Sequence, residues 1–424
     1  MTKPKRSPSK VDISPSAARL SESLRDIGYD FESAIADLVD NSVTAGANTV
    51  SVTIQFNGDA SWVGISDDGC GMTASELSEA MRFGTRKKYG DGDLGRFGLG
   101  LKTASISQCR KLSVFTRKAQ RRNVVSKLHL DLDEIAVSDR WEVQTPPKDM
   151  VFDTAHKLLA AKPGTFVVWQ ALDRVIDLER PDSGWNRRRL NTHAIRLNNH
   201  LGMVFHRFLE GAVDGRKRLK IFVNGKRVQP WNPFAPDEST RELPLISLPL
   251  ASSHVLMRRY VLPARSEFSS MEKFESMAGP NKWNRQQGFY IYRANRMIQS
   301  GGWSGLRAAD EHTKLARVAL DFPTTADTEF KIDVSKMRVG LPPAIKSLIV
   351  QPLNELVHIA DGRYRSTGTN HDRVTNAAPQ HHQLGEAGAA LSVAALEEGL
   401  TAELDRVMKR LSSTDPSLAE AFGW

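Results

Sequence analysis

One stretch limits what this chain can fold into more than any other: Gly95-Arg-Phe-Gly98-Leu-Gly100-Leu101-Lys102-Thr-Ala-Ser105. Three glycines at spacings of three and two run directly into a helix-forming segment that ends near Cys109. Glycine permits positive φ and lets a ligand approach the main chain with no Cβ in the way. A loop of this kind at a helix start presents free N–H groups and the positive end of a dipole, which suits phosphate. Lys102 adds a point charge. Glycine-rich turns also serve as plain connectors, so the weight of this stretch depends on its neighbours. No GxxxxGK[ST] occurs anywhere in the sequence, which removes a P-loop from consideration.

Two stretches upstream supply the context. Asp30 is a plausible N-cap for a helix whose apolar face is Phe31, Ile35, Leu38 and Val39. Asp37 and Asn41, four residues apart, project together from another face. After Gly46, Val50, Val52, Ile54 and Phe56 alternate as a half-buried strand over Thr49 to Phe56. Trp62 to Ser66 is a second strand, running into Asp67-Asp-Gly69-Cys-Gly71-Met72. Thr73 and Glu76 then form a capping box for the next helix. Phe83 to Leu94 is polar and glycine-rich and reads as a mobile loop.

Further on, Lys111 to Arg117 and Val124 to Leu132 read as paired strands, and Gly164 to Trp169 as another. A basic helix with Leu190, Ile195, Leu197, Leu201 and Phe205 links to a second domain. That domain opens with the hairpin Leu219 to Val223, Asn224-Gly225, Lys226 to Val228. Phe289 to Ile298 reads as strand, turn and strand, followed by a Gly301-Gly-Trp303 loop. Leu315 to Phe322 and Phe330 to Val334 are further strands, and Pro342-Pro343 introduce a helix through about Ile359. The boundaries that follow are a disordered basic arm at 1–11, domains at 12–180 and 181–345, a helix at 346–361, a linker at 362–385 and a helical tail at 386–424. The tail is rich in Ala, Leu and Glu and suits a pairing element. His381-His382 falls in the linker and reads as linker rather than metal site.

At 424 residues the chain has room for two or three domains with real cores. Its 40% hydrophobic and 25% charged content is that of a soluble globular protein. No apolar run approaches a membrane span and no signal-peptide core opens the chain. Two cysteines, Cys70 and Cys109, provide neither a disulfide framework nor a zinc site, which favours a cytoplasmic setting. The net charge of +9 suits an anionic partner such as nucleic acid, and equally suits plain solubility.

The order Asp37-x-x-x-Asn41, Asp67-x-Gly69-x-Gly71, Gly95-x-x-Gly98-x-Gly100-Leu101-Lys102 and Gly164-Thr165 resembles the GHKL ATPases. These include gyrase B subunits, the ninety-kilodalton heat-shock chaperone, MutL and the microrchidia (MORC) proteins. The resemblance runs over about residues 12 to 345, because Ile221 to Phe234 and Lys331 to Lys336 look like the transducer that follows the ATPase domain in gyrase, MutL and MORC. The stretch from Tyr290 to Trp303 is most similar to MORC-like bacterial proteins. The resemblance implies an α+β fold: an α/β sandwich ATPase domain, a transducer-like α/β domain and a helical tail.

It also implies roles. Asn41 resembles the family asparagine whose side-chain oxygen ligates Mg²⁺, a hard cation that bridges phosphates and keeps several waters. Asp37 stands where the family has a glutamate that deprotonates the attacking water; one methylene shorter, it implies slow turnover. Glu32 is a back-up base. Asp67 resembles the carboxylate that accepts from the adenine amino group, with Gly69 and Gly71 letting the strand end pass beneath the base and Met72 among the nucleotide-binding residues. Thr165 resembles the threonine that supports that contact, and equally suits an ordinary strand. Lys102 and the N–H groups around Gly98 and Gly100 would hold phosphates. Lys336 looks like the transducer lysine that reaches the γ-phosphate, although a lone lysine is as often solvated surface. Thr44 departs from the aspartate that comparable runs carry.

Basic clusters at Arg117 to Arg122, Arg187 to Arg189 and Arg216 to Arg227 suit phosphate contacts without base readout, and equally suit scattered surface charge. The resemblance implies an ATP-driven N-terminal homodimer acting as a clamp. Its most plausible partner is DNA, in DNA manipulation or bacterial defence, with room for a partner protein. A nucleotide-gated scaffold with little hydrolysis and a chaperone-like ATPase remain alternatives.

Overall fold

Helix α1 (Ala17–Arg25) precedes α2 (Phe31–Thr44) in a computed structural model that describes residues 15–26, 28–84, 100–118, 124–250, 253–280, 282–332, 339–371 and 401–414. The basic arm, Gly95, Gly98, Lys336 and nearly all of the glycine-rich loop before Gly95 lie outside those residues. Asp30 starts α2 as its position in sequence requires, its carboxylate accepting from the Ser33 N–H at 2.6 Å. Phe31, Ile35, Leu38 and Val39 are all buried. The sequence pattern starts ordered helix only at Asp30, so α1 is an addition to it. This helix is held less by an apolar stripe than by Arg25, whose guanidinium donates to the Ile106 carbonyl at 2.9 Å and to Asp173 at 2.6 Å.

The next elements are β1 (Thr49–Gln55), β2 (Trp62–Asp67), α3 (Ala74–Met81), α4 (Gly100–Ile106), β3 (Lys111–Arg117), β4 (Ser126–Asp131), α5 (Leu132–Ser138), α6 (Met150–Ala161) and β5 (Gly164–Gln170). Then come α7 (Gly184–Val204), α8 (His206–Glu210), β6 (Lys220–Val223) and β7 (Lys226–Arg227). The strands form one sheet in the order β4-β3-β5-β2-β1-β6-β7. Only the β1–β6 pair is parallel among these described pairings. Val52, Ile65, Val114, Trp169 and Ile221 face the core shared with α2, α4 and α7. The opposite face carries Trp62, Phe115, Phe166 and Val168, covered by Val151, Ala155 and Leu159 of α6.

Two expectations for this region change. The Asn224-Gly225 hairpin forms, with φ of 46° and 77° at its two turn residues, the left-handed pair such a turn needs. It extends the first sheet, though, rather than opening the second: Thr49 pairs with Lys220, and the Asn224 side chain accepts from the Ile54 N–H at 2.7 Å. Ile195 is 66% exposed, because two residues from Leu197 it falls on the opposite side of α7.

The second sheet contains β8 (Arg241–Leu250), β9 (Ser253–Val261), β10 (Gly288–Arg293), β11 (Arg296–Ser300) and β12 (Ala316–Phe322), with α9 (Met271–Met277) and α10 (Lys282–Gln286) between β9 and β10. Its order is β11-β10-β12-β9-β8. Strand β8 carries Pro244 and Pro249, which disguise it in sequence; it is tolerated because it is an edge strand with an irregular register between Leu243 and Ile246. One face of this sheet packs on Ile345, Ile349, Leu353 and Leu356 of α11 (Pro343–His371). The other carries Tyr290, Tyr292 and Ala319 against Met203 and Phe234.

The stretch from Phe330 is not a strand over its described residues. Phe330 stacks on Phe322 at 3.9 Å, and its N–H closes a turn onto the Ala326 carbonyl at 3.1 Å. Helix α11 also runs past Ile359 into the expected linker. Arg363 anchors it there, donating to Glu267 at 2.7 Å, to the Val261 carbonyl at 3.2 Å and to the Ser239 carbonyl at 3.0 Å. The chain divides into two units, Met1–Thr367 and Gly368–Trp424. Both sheets belong to the first, and the described part of the second contains α12 (Thr401–Thr414). No helix among the described residues is long and apolar enough to cross a membrane.

Candidate nucleotide site

Helix α2 carries two carboxylates into an otherwise apolar interior. Asp37 is 2% exposed and Asp40 is fully buried, whereas Asn41, one position further, is exposed. The Tyr29 hydroxyl donates to Asp37 Oδ2 at 2.7 Å. Burial and the adjacent Asp37 raise the Tyr29 pKa far above the phenol range, so the hydroxyl keeps its proton and remains a donor. Tyr29 in turn is fixed by the Gln108 amide, which donates to its carbonyl at 3.1 Å.

At the end of β2, Asp67 is the second anchor. Its Oδ1 accepts from the N–H groups of Gly69 at 2.9 Å and Thr165 at 3.2 Å, and its Oδ2 accepts from Ser42 Oγ at 2.9 Å. Burial raises the Asp67 pKa, and the Gly69, Ser42 and Thr165 donors oppose that shift. Three donors on two carboxylate oxygens leave lone-pair capacity for a further N–H. The Ser42 bond ties α2 to the end of β2, so the helix bearing Asn41 and the strand bearing Asp67 are held as one unit.

Glycine is required around this carboxylate. A Cβ on Gly71, at φ +63°, would lie 2.1 Å from the Arg117 carbonyl oxygen, and one on Gly164 would lie 1.9 Å from the Asp67 carbonyl oxygen. Thr116 links the neighbouring strands: its hydroxyl accepts from the Met72 N–H at 2.9 Å, donates to the Gly164 carbonyl at 3.0 Å and lies 3.1 Å from Thr165 Oγ1. Met72 is half-buried beside that junction.

The glycine-rich stretch returns to α2 at its described end. Gly100 opens α4, and a Cβ there would sit 3.4 Å from Asp37 Oδ2. Leu101 is half-buried, its carbonyl accepting from Ser105 Oγ at 2.6 Å. Lys102 is 1% exposed, and its ammonium donates to the Ala80 carbonyl at 2.8 Å and lies 5.8 Å from the Phe83 ring centre. Burial lowers its pKa to about 8. Asp37, Asn41, Asp67, Gly69, Gly71, Gly100 and Thr165 are thus gathered around the junction of α2, β2, β5 and α4. Glu32 is engaged elsewhere, 3.0 Å from His193 Nδ1 on α7.

Tyr29, Ser42 and Arg296 are among the residues of this arrangement that carry no motif in the sequence. Arg296, on β11, contacts Asp40 through Nε at 3.1 Å and lies 3.7 Å from Asp37 through Nη2. The signal available for Arg296 is an arginine inside the apolar run from Phe289 to Ile298; Tyr29 and Ser42 offer none.

A helix with one buried and one exposed polar residue a turn apart, a glycine-flanked carboxylate at a strand end and a glycine-rich helix start make up the candidate nucleotide site of this α/β domain. Residues 29–165 match the model of the histidine kinase-, DNA gyrase B-, and HSP90-like ATPase family. The DNA mismatch repair protein MutL of Haemophilus influenzae (strain PittEE) is 31% identical over 142 residues, covering 32% of this chain and 19% of that protein. The MutL of Salmonella arizonae is 27% identical over 210 residues, 48% of this chain and 29% of that protein. The ATPase morc-1 of Caenorhabditis elegans is 35% identical over 86 residues, 20% of this chain and 10% of that protein. The matches thus span less than a third of each of these relatives.

Proposed function

We propose that this protein binds Mg-ATP and hydrolyses it slowly, using the binding energy to close a homodimeric clamp on DNA. The observation that carries the reading is the convergence of Asp37 and Asn41, Asp67, and Gly100, from three separated stretches, on one junction. Asp67 accepts from the adenine amino group with the capacity left after its three protein donors. Asn41 fits a magnesium ion because its side chain is exposed one turn beyond Asp37; bound there, the ion would neutralise phosphate charge and draw its other ligands from phosphate and water. Asp37 takes the proton of the attacking water. Lys102, and Lys336 outside the described residues, supply positive charge toward the phosphates.

DNA is favoured as the partner by the DNA mismatch repair relatives and by the Arg187-Arg188-Arg189 run on α7, beside Trp185, which is 50% exposed. A second reading, a nucleotide-gated scaffold with little turnover, draws support from the phenol and guanidinium already facing Asp37. Hydrolysis assays on wild type and Asp37→Ala, with and without duplex DNA and with light scattering, separate these readings. DNA-stimulated turnover that vanishes in the variant, with an ATP-dependent dimer, is the expected result. A dimer without phosphate release selects the scaffold, and turnover indifferent to DNA selects protein clients.

A further inference from the structure

Asp37 and Asp40 lie three residues apart on the buried side of α2, with side chains 1% and 0% exposed. Two carboxylates so placed repel each other unless a cation lies between them. Arg296 supplies it from another sheet, 4% exposed on β11, just after the Ala294-Asn295 turn. Its contacts are divided. Nε lies 3.1 Å from Asp40 Oδ2 and 3.2 Å from Oδ1, Nη1 donates to the Met297 carbonyl at 3.2 Å, and Nη2 lies 3.7 Å from Asp37 Oδ1.

We propose that Arg296 is a positioning residue for hydrolysis, setting the orientation of the Asp37 carboxylate from the β10–β11 hairpin; this rests on the ATPase reading above. The guanidinium is planar and rigid. With one edge fixed by Asp40 and one corner by the Met297 carbonyl, the place of Nη2 beside Asp37 follows. Tyr29 holds the other oxygen of Asp37, so the two oxygens have distinct neighbours and the carboxylate plane is defined. The base is therefore oriented from outside residues 29–165, and a displacement of the hairpin relative to α2 changes the rate of turnover.

The test uses the full chain. Arg296→Lys keeps the charge, but an ammonium cannot reproduce the fork that spans both carboxylates. It is expected to lower kcat about tenfold or more while affinity for a non-hydrolysable ATP analogue stays within about twofold, because misplacing a reacting group costs rate rather than binding. Asp40→Asn, which keeps an acceptor of similar shape and leaves one carboxylate to one guanidinium, is the second variant, with the same split expected. Thermal melts establish that each variant is folded. A folded variant of either kind with wild-type kcat overturns the inference, as does a loss of rate matched by an equal loss of analogue binding. A wild-type chain that binds the analogue and releases no phosphate refutes the ATPase reading, and this inference with it; wild-type turnover with indifferent variants refutes this inference alone.

Discussion

Asp37 and Asn41 occupy successive turns of one helix and differ in surroundings, and the difference separates their expected roles. Asp37 is enclosed and contacted by Tyr29 and Arg296, whereas Asn41 is exposed. Asn41→Ala should abolish magnesium-dependent ATP binding. Asp37→Ala should retain binding and lose turnover, which equilibrium binding with a fluorescent nucleotide alongside a phosphate-release assay will read. Normal hydrolysis by Asp37→Ala would remove it as the base. Lys102 yields a prediction with a definite sign. Burial lowers its pKa to about 8 from an ordinary 10.5, so between those values the unfolded chain holds a proton that the folded one has released. Stability from this group therefore rises with pH across that window. Lys102→Met should melt above wild type near neutrality, with the gap closing in alkali; a gap independent of pH would contradict it.

Asp37, Asn41 and Asp67 were legible in the sequence because their spacing within short stretches is set by helix and turn geometry. Arg296 was not, because it meets Asp40 across 256 positions of chain, and only the packing of the second sheet on α2 brings the two together. Ser42 looks like an ordinary helix residue until its hydroxyl is found on Asp67.

Elements were readable where one local signal agreed with their setting. The capping box at Thr73 and Glu76 forms with both of its bonds, Thr73 N–H to Glu76 at 2.7 Å and Glu76 N–H to Thr73 at 3.2 Å. Strand β8 was obscured by its prolines and α1 by its polarity, since an edge position and a buried arginine, respectively, decide them. The length of α11 is the clearest case of a tertiary contact overriding a linker-like composition. Arg363→Ala removes the contacts to Glu267, Val261 and Ser239 at its far end and should cost about 1–3 kcal/mol. Hydrogen exchange is expected to accelerate beyond Ile359 and to stay slow around Ile345 to Leu356; uniform exchange along the helix would show that Arg363 does not anchor it.

At the scale of the molecule, the domain that matches the family model lies beside a second sheet whose Arg296 contacts Asp40 and lies near Asp37. The proposed DNA contact belongs here too, because it is a property of a surface. Neutralising Arg187, Arg188 and Arg189 should weaken duplex binding and reduce the slope of log affinity against log salt by roughly 2–3, the change expected for losing up to three phosphate contacts. An unchanged slope would take α7 out of the interface.

The pairing of β6 with β1 also bears on how the protein is made. During synthesis, β1 emerges long before the strand that covers its free side, since Thr49 waits for Lys220. Through that interval β1 is an open edge, the kind of surface on which nascent chains join one another. A fragment ending near residue 180 would keep that edge permanently. The ribosome must therefore deliver α7 and the Asn224-Gly225 hairpin before the first sheet is safe from its own copies, and for expression the smallest well-behaved unit reaches at least to Arg227.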